Sequence, residues 1–562
     1  MKFFSKIMLP CLILVIVVLV IYFPLTKTFY QQDEWHGYGM YLANGPAMIF
    51  SSATYLSKNL GSIFLDTNGL INIFLGEGRI FTRFLQYEFY KEFPLDVTPV
   101  AWFSIILHAT NTILVFLLAK KIFRKDLHAF FGSLFFAVNS VSQSSITWIA
   151  ASVNTLPSTT LILLAVLFYF KFVDLFENKW LFCSFISIYL SLFFKETGLF
   201  LFLLLPLFSF VYKKYSIIEF IKKYWYFFLT MGLIVVFRLY EFKSVPHEEV
   251  LFLTGSSKYF LDSLVVRSVL YPLTSLSLSI VPPDIFLNFA RYITNVYYPF
   301  VPEGQFILIA QTAVLDLLAI VLSAVIGVIS FIILKLTEIK IRKHVIFWFI
   351  FLLASFLPYI IISKSYSYLE SRYYYVASVA WAVIFAWVLK VCEEKIKIRL
   401  LQFLILIAFL FFLFAHINAA QKNLNQLVKD SQVRIGIIDQ IKRIKPTLEN
   451  NKNIFYITGD SDFYLVGNKV PFQTGMGYNL MSLYYNSGKI PTEFLDQSYL
   501  FEIGSKGYKE SSEYGFGYFS DLDSLRSVFK EKKIEKTAVK AFYYNSKANT
   551  IEDITSQIII GL

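Results

Sequence analysis

Long apolar runs recur from Met8 to about residue 418, and that repetition calls for a solvent other than water. Crossing a hydrocarbon core of about 30 Å takes roughly 20 apolar residues in a helix. On that measure the chain is expected to span at 7–25, 99–119, 128–147, 154–172, 181–194, 198–212, 224–241, 305–334, 345–363, 373–391 and 400–418, eleven helices in all. Composition agrees. With 56% hydrophobic, 19% aromatic and only 16% charged residues, 562 residues have too little polar surface for a soluble fold. The first run follows Lys2 and Lys6 and resembles a signal sequence, but Phe23-Pro24-Leu25 is a poor cleavage site, so it reads as a retained first span.

A net charge of +12 would point a soluble protein toward nucleic acid. Here it has a different explanation, because basic residues gather in the cytoplasmic loops of membrane proteins. The clusters are Lys2/Lys6, Lys120–Lys125, Lys171/Lys179, Lys213–Lys223, Lys335–Lys343 and Lys395–Arg399. Eleven spans put all six on one side, which leaves membrane lipids and not nucleic acid as the expected surroundings. The other side then receives the first outer loop, 26–98, the outer segment 242–304, the link around 364–372 and everything after 418. Within 242–304, the apolar stretch 264–281 stops at Pro282-Pro283 and reads as a re-entrant or interfacial helix.

Past residue 418 the periodicity changes, dividing the chain into a transmembrane part, 1–418, and an extracytoplasmic domain, 419–562. Gln421–Ile444 has a helical pattern, Asn453–Thr458 alternates as a strand into a Gly459-Asp460 turn, Asp521–Lys533 reads as a helix and Val539–Tyr544 as a strand. The expected fold is therefore an all-α polytopic membrane domain followed by a small α/β domain. Gly459-Asp460-Ser461-Asp462 lacks the rest of a calcium loop and reads as a polar turn. Cys11, Cys183 and Cys392 lie in or beside apolar runs and offer neither a disulfide framework nor zinc-ligand spacing, so no metal site is assigned.

Ionisable residues at span ends are expensive and thereby candidates for function. The acidic pair Asp33-Glu34, with His36, opens the first outer loop in Y-Q-Q-D-E-W-H-G-Y-G. A carboxylate pair at a membrane face can accept protons, hold a metal or bind a hydroxylated substrate; a solvated loop is the plainer reading of a D-E dipeptide. Arg79 lies in G-E-G-R-I-F-T-R, Lys195 and Glu196 in F-F-K-E-T-G-L-F, and Arg372 in L-E-S-R-Y-Y-Y. Lys195-Glu196 also fits a helix-hairpin corner with a local ion pair, and Arg372 an anchor beside the tyrosines at an interface. His108, nearer mid-membrane, fits an interhelical hydrogen bond as well as a substrate contact.

The order of these pieces resembles the GT-C superfamily of polytopic glycosyltransferases, and more closely the transmembrane protein O-mannosyltransferase-like proteins. The resemblance runs through 76–87 (G-E-G-R-I-F-T-R-F-L-Q-Y), 107–114 (L-H-A-T-N-T-I-L), 135–150 (F-F-A-V-N-S-V-S-Q-S-S-I-T-W-I-A), 194–199 (F-K-E-T-G-L) and 371–379 (S-R-Y-Y-Y-V-A-S-V). It implies a sugar donor carried on a polyprenyl phosphate and transfer on the outer face with inversion, Asp33 acting as base beside Glu34. The acceptor, whether glycan, lipid or protein, stays open, as does use of a divalent cation. A phosphate leaving group calls for cations rather than an acid, which points to Arg372 with Lys195 or Arg79. His36, Glu196 and His108 are the further candidates for substrate contact. The arginine segment departs from the family, reading R-I-F where relatives often have R-P, and no tetratricopeptide array follows.

Two other classes compete. A transporter or lipid flippase would show inverted repeats and matching Gly/Pro-broken helices, and the sequence displays neither. A catalytically dead scaffold would lack the acidic pair, which is present.

Overall fold

The computed structural model describes residues 2–49, 79–211, 215–244, 257–297, 305–360, 371–448, 451–460, 476–486, 488–489, 507–511, 513–519 and 521–562. The chain is mostly helical and divides into two compact units, one of Met1–Phe23 with Phe103–Asn423, the other of Pro24–Trp102 with Leu424–Leu562. The segment Pro24–Trp102 therefore groups with the C-terminal residues Leu424–Leu562. Arg434 donates to the Tyr30 carbonyl at 3.3 Å, and the Gly488 amide donates to the Leu42 carbonyl.

Seven helices among the described residues are long and apolar enough to cross a membrane: Met8–Lys27, Thr98–Phe123, Ile149–Leu175, Ala313–Lys335, Ile341–Tyr359, Tyr375–Lys395 and Arg399–Ile444. Each answers to an expected span. The other four expected spans are helical but do not meet the same test. Asp126–Val138 and Asn178–Leu192 have 13 and 15 residues, and Glu196–Val211 and Trp225–Val236 are shorter apolar helices. Arg267–Leu278 and Pro283–Tyr297 form a pair bent by 105° at the Pro282-Pro283 break, the geometry of a broken span or re-entrant loop. One continuous helix, Arg399–Ile444, carries both the apolar run 400–418 and the polar run 421–444 over about 69 Å. Outward-facing Leu317, Val321, Val325, Val328 and Phe331 give Ala313–Lys335 an apolar surface suited to lipid tails.

The helical unit is organised on Tyr375–Lys395, most of whose side chains are buried. Small residues let Asp126–Val138 lie against it: a Cβ on Gly132 would stand 2.3 Å from the Ala382 carbonyl oxygen and 3.0 Å from the Ala386 Cβ. Because the obstacle is backbone, no rotamer change can make room. Gly132→Val is expected to destabilise the unit by about 1–3 kcal/mol or more, read as a lower midpoint for unfolding in detergent. A wild-type midpoint would contradict this packing.

Ion pairs tie the basic loop 120–125 to two other helix ends of this unit. Lys120 meets Asp126 at 2.7 Å, Lys121 meets Asp174 at 2.9 Å and Lys125 meets Glu393 at 3.1 Å. Exposed pairs contribute little stability. They do show that the ends of Thr98–Phe123, Ile149–Leu175 and Tyr375–Lys395 that carry these clusters lie together.

In the second unit a five-stranded sheet runs in the order β2-β3-β1-β4-β5, with β1 Lys452–Gly459, β2 Tyr508–Ser511, β3 Tyr514–Phe519, β4 Val539–Asn545 and β5 Thr550–Asp553. β1 is parallel to both neighbours, and its continuous buried run Asn453–Ile457 befits a central strand. The expected strands 453–458 and 539–544 and the helix 521–533 are all present. Asp460 accepts from the Ser546 amide and hydroxyl at 2.9 Å each, while Ser461 and Asp462 lie outside the described residues.

Asp521 caps Leu522–Lys532 by accepting from the Ser524 amide at 2.8 Å, and hydrogen bonds from the Ser524 side chain and then its amide hold its carboxyl below the usual range. A lowered carboxyl contributes stability above its unfolded value of about 3.9 and loses it as pH falls through its folded value. Asp521→Ala should therefore speed amide exchange in Leu522–Lys532 at neutral pH, and the difference from wild type should fade in acid. A difference that persists unchanged at acid pH would refute the charged cap.

Candidate functional site

The helix Asp126–Val138 stops at Asn139, whose side chain turns back to accept from the Val141 amide at 2.9 Å. Serine and asparagine compete with the helix for backbone hydrogen bonds, and 139–147 (N-S-V-S-Q-S-S-I-T) is rich in them. A short 3₁₀ turn at Ser140–Ser142 and a single turn at Ser144–Thr147 follow, with a new helix from Ile149. The expectation of one unbroken helix over 128–147 is thus corrected: the regular helix ends at Val138 and the rest of the segment is two short turns.

Buried non-helical backbone needs partners, and they come from distant chain. His416 Nδ1 accepts from the Ser140 amide at 3.2 Å, and its Nε2 lies 2.9 Å from the Ile280 carbonyl. Gln143 donates to the Ala420 carbonyl at 2.7 Å. Ser145 donates to the Arg372 carbonyl at 2.7 Å, and the Ser371 hydroxyl donates to the Val141 carbonyl. The break is therefore what holds the Ser371–Tyr373 turn, and with it Arg372.

The Arg372 guanidinium carbon stands 4.5 Å from the centre of the Trp148 ring and 5.0 Å from that of Tyr373. Lys195 Nζ lies 5.5 Å from the same Tyr373 ring and donates to Thr155 Oγ1 at 2.8 Å. Two cations from segments far apart in sequence thus share one aromatic ring. Lys195 is 6% exposed, and a lysine this buried needs polar company. Thr155 supplies some, and Ser158 bonds both the Lys195 carbonyl (3.4 Å) and the Thr197 hydroxyl (3.1 Å). The K-E-T-G turn is tight: a Cβ on Gly198 would come within 2.3 Å of Ser191 Oγ. Glu196, partly buried, opens that turn.

Height along the bundle follows from helix length. Ile149–Leu175 runs about 40 Å from Trp148 to the end that carries Asp174, and Tyr375–Lys395 runs about 31 Å from Tyr373 to the end that carries Glu393. The Arg372–Lys195 group therefore lies at the opposite end of the helical unit from the basic loops, separated by about the thickness of a hydrocarbon core.

His108 is fully buried deeper in the bundle. Its Nε2 is 3.0 Å from the Ala137 carbonyl and its Nδ1 is 2.8 Å from the Tyr375 hydroxyl. The carbonyl can only accept, so Nε2 carries the proton and Nδ1 accepts from Tyr375. Asn111 donates to that hydroxyl at 3.2 Å and to the Leu156 carbonyl at 3.2 Å. Both ring nitrogens of His108 are thus occupied within the protein.

In the other unit, Asp33, Glu34 and His36 all fall on the helix Gln32–Asn44. The Glu34 carboxylate accepts from the Gln31 amide at 2.5 Å, completing a capping box, and Glu34 is 1% exposed. The side chains of Asp33 and His36 lie outside the described residues. Arg79 is the N-cap residue of Ile80–Glu92, and the Gly76–Gly78 part of its motif is not described. Among the described residues, no three His, Cys, Asp or Glu side chains gather as a metal site.

Trp148, Thr155, Tyr373, Tyr375 and His416 were not singled out by the sequence reading. Trp148, Tyr373 and Tyr375 stand inside the quoted motifs, so the signal was at hand, whereas nothing local marks His416. No known protein family matches the chain, and no curated protein does either.

Proposed function

We propose that this protein is an integral membrane glycosyltransferase that moves a sugar from a polyprenyl-phosphate donor to an acceptor on the extracytoplasmic face, with inversion. The observation that carries the reading is convergence. Four of the five motif segments, 107–114, 135–150, 194–199 and 371–379, meet in the helical unit through His108–Ala137, His108–Tyr375, Ser145–Arg372 and Lys195–Tyr373. The finer topology belongs to the same proposal: eleven spans, the basic loops cytoplasmic, and residues 419–562 extracytoplasmic in the cell envelope.

In this reading the acceptor hydroxyl attacks the anomeric carbon while Asp33 takes its proton. The bond to the phosphate oxygen breaks, and the phosphate leaves with the electron pair. Arg372 and Lys195, with Arg79 as a further cation, stabilise the charge gathering on that phosphate. Glu34 sets the start of the helix that carries Asp33. His36 and Glu196 are assigned to substrate, and His108 acts by fixing Tyr375. A divalent cation, if one binds, supplies further charge to the phosphate.

The test is direct. Purified full-length protein, given radiolabelled polyprenyl-phosphate hexoses and pentoses with envelope extracts, should move label into a glycan, lipid or protein fraction. Failure with every donor would overturn the reading in favour of a transporter or lipid flippase.

A further inference from the structure

On one face of the C-terminal sheet, two glycines replace side chains where a trough is needed. Gly515 pairs with Glu510 on β2 and with Lys452 on β1, and Gly517 pairs with Tyr508. The ring of Tyr508 lies along this trough. A Cβ on Gly515 would come within 2.3 Å of the Tyr508 hydroxyl, and one on Gly517 within 3.0 Å of its ring. Lys452 and Glu510 pair across Gly515, which has no side chain to separate them.

Beside the trough is a cavity of about 400 Å³, within the range of small-ligand pockets. Tyr508 lines it, with Lys452, Lys532 and Lys533 and with Glu510, Glu513 and Glu535. Tyr508 is only 8% exposed, and its buried hydroxyl has no hydrogen-bond partner among the described residues. A buried hydroxyl left without a partner is costly and rare, and the cavity is where a partner can enter. Burial, aided by the charge of Glu510, pushes the phenol up to about 12, so it keeps its proton to donate.

We propose that this cavity is a binding subsite for a neutral saccharide, hydrogen-bonded by the Tyr508 hydroxyl and by Glu510 and Lys452. Charge selects the ligand class. Three lysines and three glutamates balance, so neither a polyanion nor a polycation gains from the rim. The helix Leu522–Lys532 also presents its C-terminal end here, capped by Lys533, and that end disfavours anions. Sugar hydroxyls both donate and accept, which suits a rim of ammonium, carboxylate and phenol groups.

The experiment uses full-length protein in a detergent without a sugar headgroup. Titration calorimetry is run with maltotriose, with tri-N-acetylchitotriose and with inorganic phosphate. Saturable binding of at least one saccharide and none of phosphate is expected. Tyr508→Phe should weaken it roughly tenfold with Tm unchanged or raised, since the lost hydroxyl has no partner in the fold. Glu510→Gln should weaken it as well. The proposal is overturned if neither saccharide binds, if phosphate binds more tightly, or if Tyr508→Phe binds like wild type. It is equally overturned if Tyr508→Phe lowers Tm, for the hydroxyl would then serve the fold. No sugar donor is present, so the outcome is independent of the transferase reading.

Discussion

Arg372→Gln is expected to cut kcat for sugar transfer by about 10²–10³-fold while the protein still inserts and folds. The leaving phosphate gains charge as the glycosidic bond breaks, and a fixed cation favours that state over the ground state. Arg372 has the form for the task, with a planar fork able to hold two phosphate oxygens. It is also held in place: its carbonyl is bonded by Ser145 and its guanidinium lies over Trp148 and Tyr373. The rival role, an anchor for a helix end among lipid headgroups, would be served equally by lysine. Arg372→Lys separates the two. Lysine keeps the charge but loses the bidentate fork and the flat stacking, so a marked fall in kcat or rise in donor KM supports phosphate binding. Full activity in Arg372→Lys, with only lower expression in Arg372→Gln, would establish the anchor.

Asp33→Asn should lower transfer by about 10²–10⁴-fold, the usual contribution of a general base. Asparagine keeps size and polarity but cannot take a proton. Its neighbour provides the control. Glu34 spends a carboxylate oxygen on the Gln31 amide and is buried, so Glu34→Gln should act on the helix start and reduce thermal stability more than turnover. Near wild-type turnover in Asp33→Asn would remove Asp33 from the base role, and a larger kinetic loss from Glu34→Gln would transfer that role to Glu34.

Much of the C-terminal unit was legible in advance because its signals are local. The alternation in Asn453–Thr458 and Val539–Tyr544 marks strands, and the acid-to-base gradient in Asp521–Lys533 marks a helix. The order of the strands was not legible. β3 takes its place through parallel register with β1, and β2 through antiparallel register with β3, and the glycines of β3 acquire a purpose only when Tyr508 lies over them.

By itself the sequence determined that the chain is built of membrane-length apolar helices, because hydropathy and run length act within each segment. It also determined which loops are basic, and the pairs of Lys121 with Asp174 and Lys125 with Glu393 bring three of the helix ends beside them together. Tertiary structure alone decided where helices break and which charges meet. The 128–147 run reads as one span until Ser140 finds His416, 276 residues away, and Gln143 finds the Ala420 carbonyl. Those partners make a buried gap in a helix affordable, and no local period announces them. Lys195 and Arg372 likewise become neighbours of one ring only because the turn at Ser371–Tyr373 is tied to that gap. Local patterns set the elements, while hydrogen bonds between distant segments set the site.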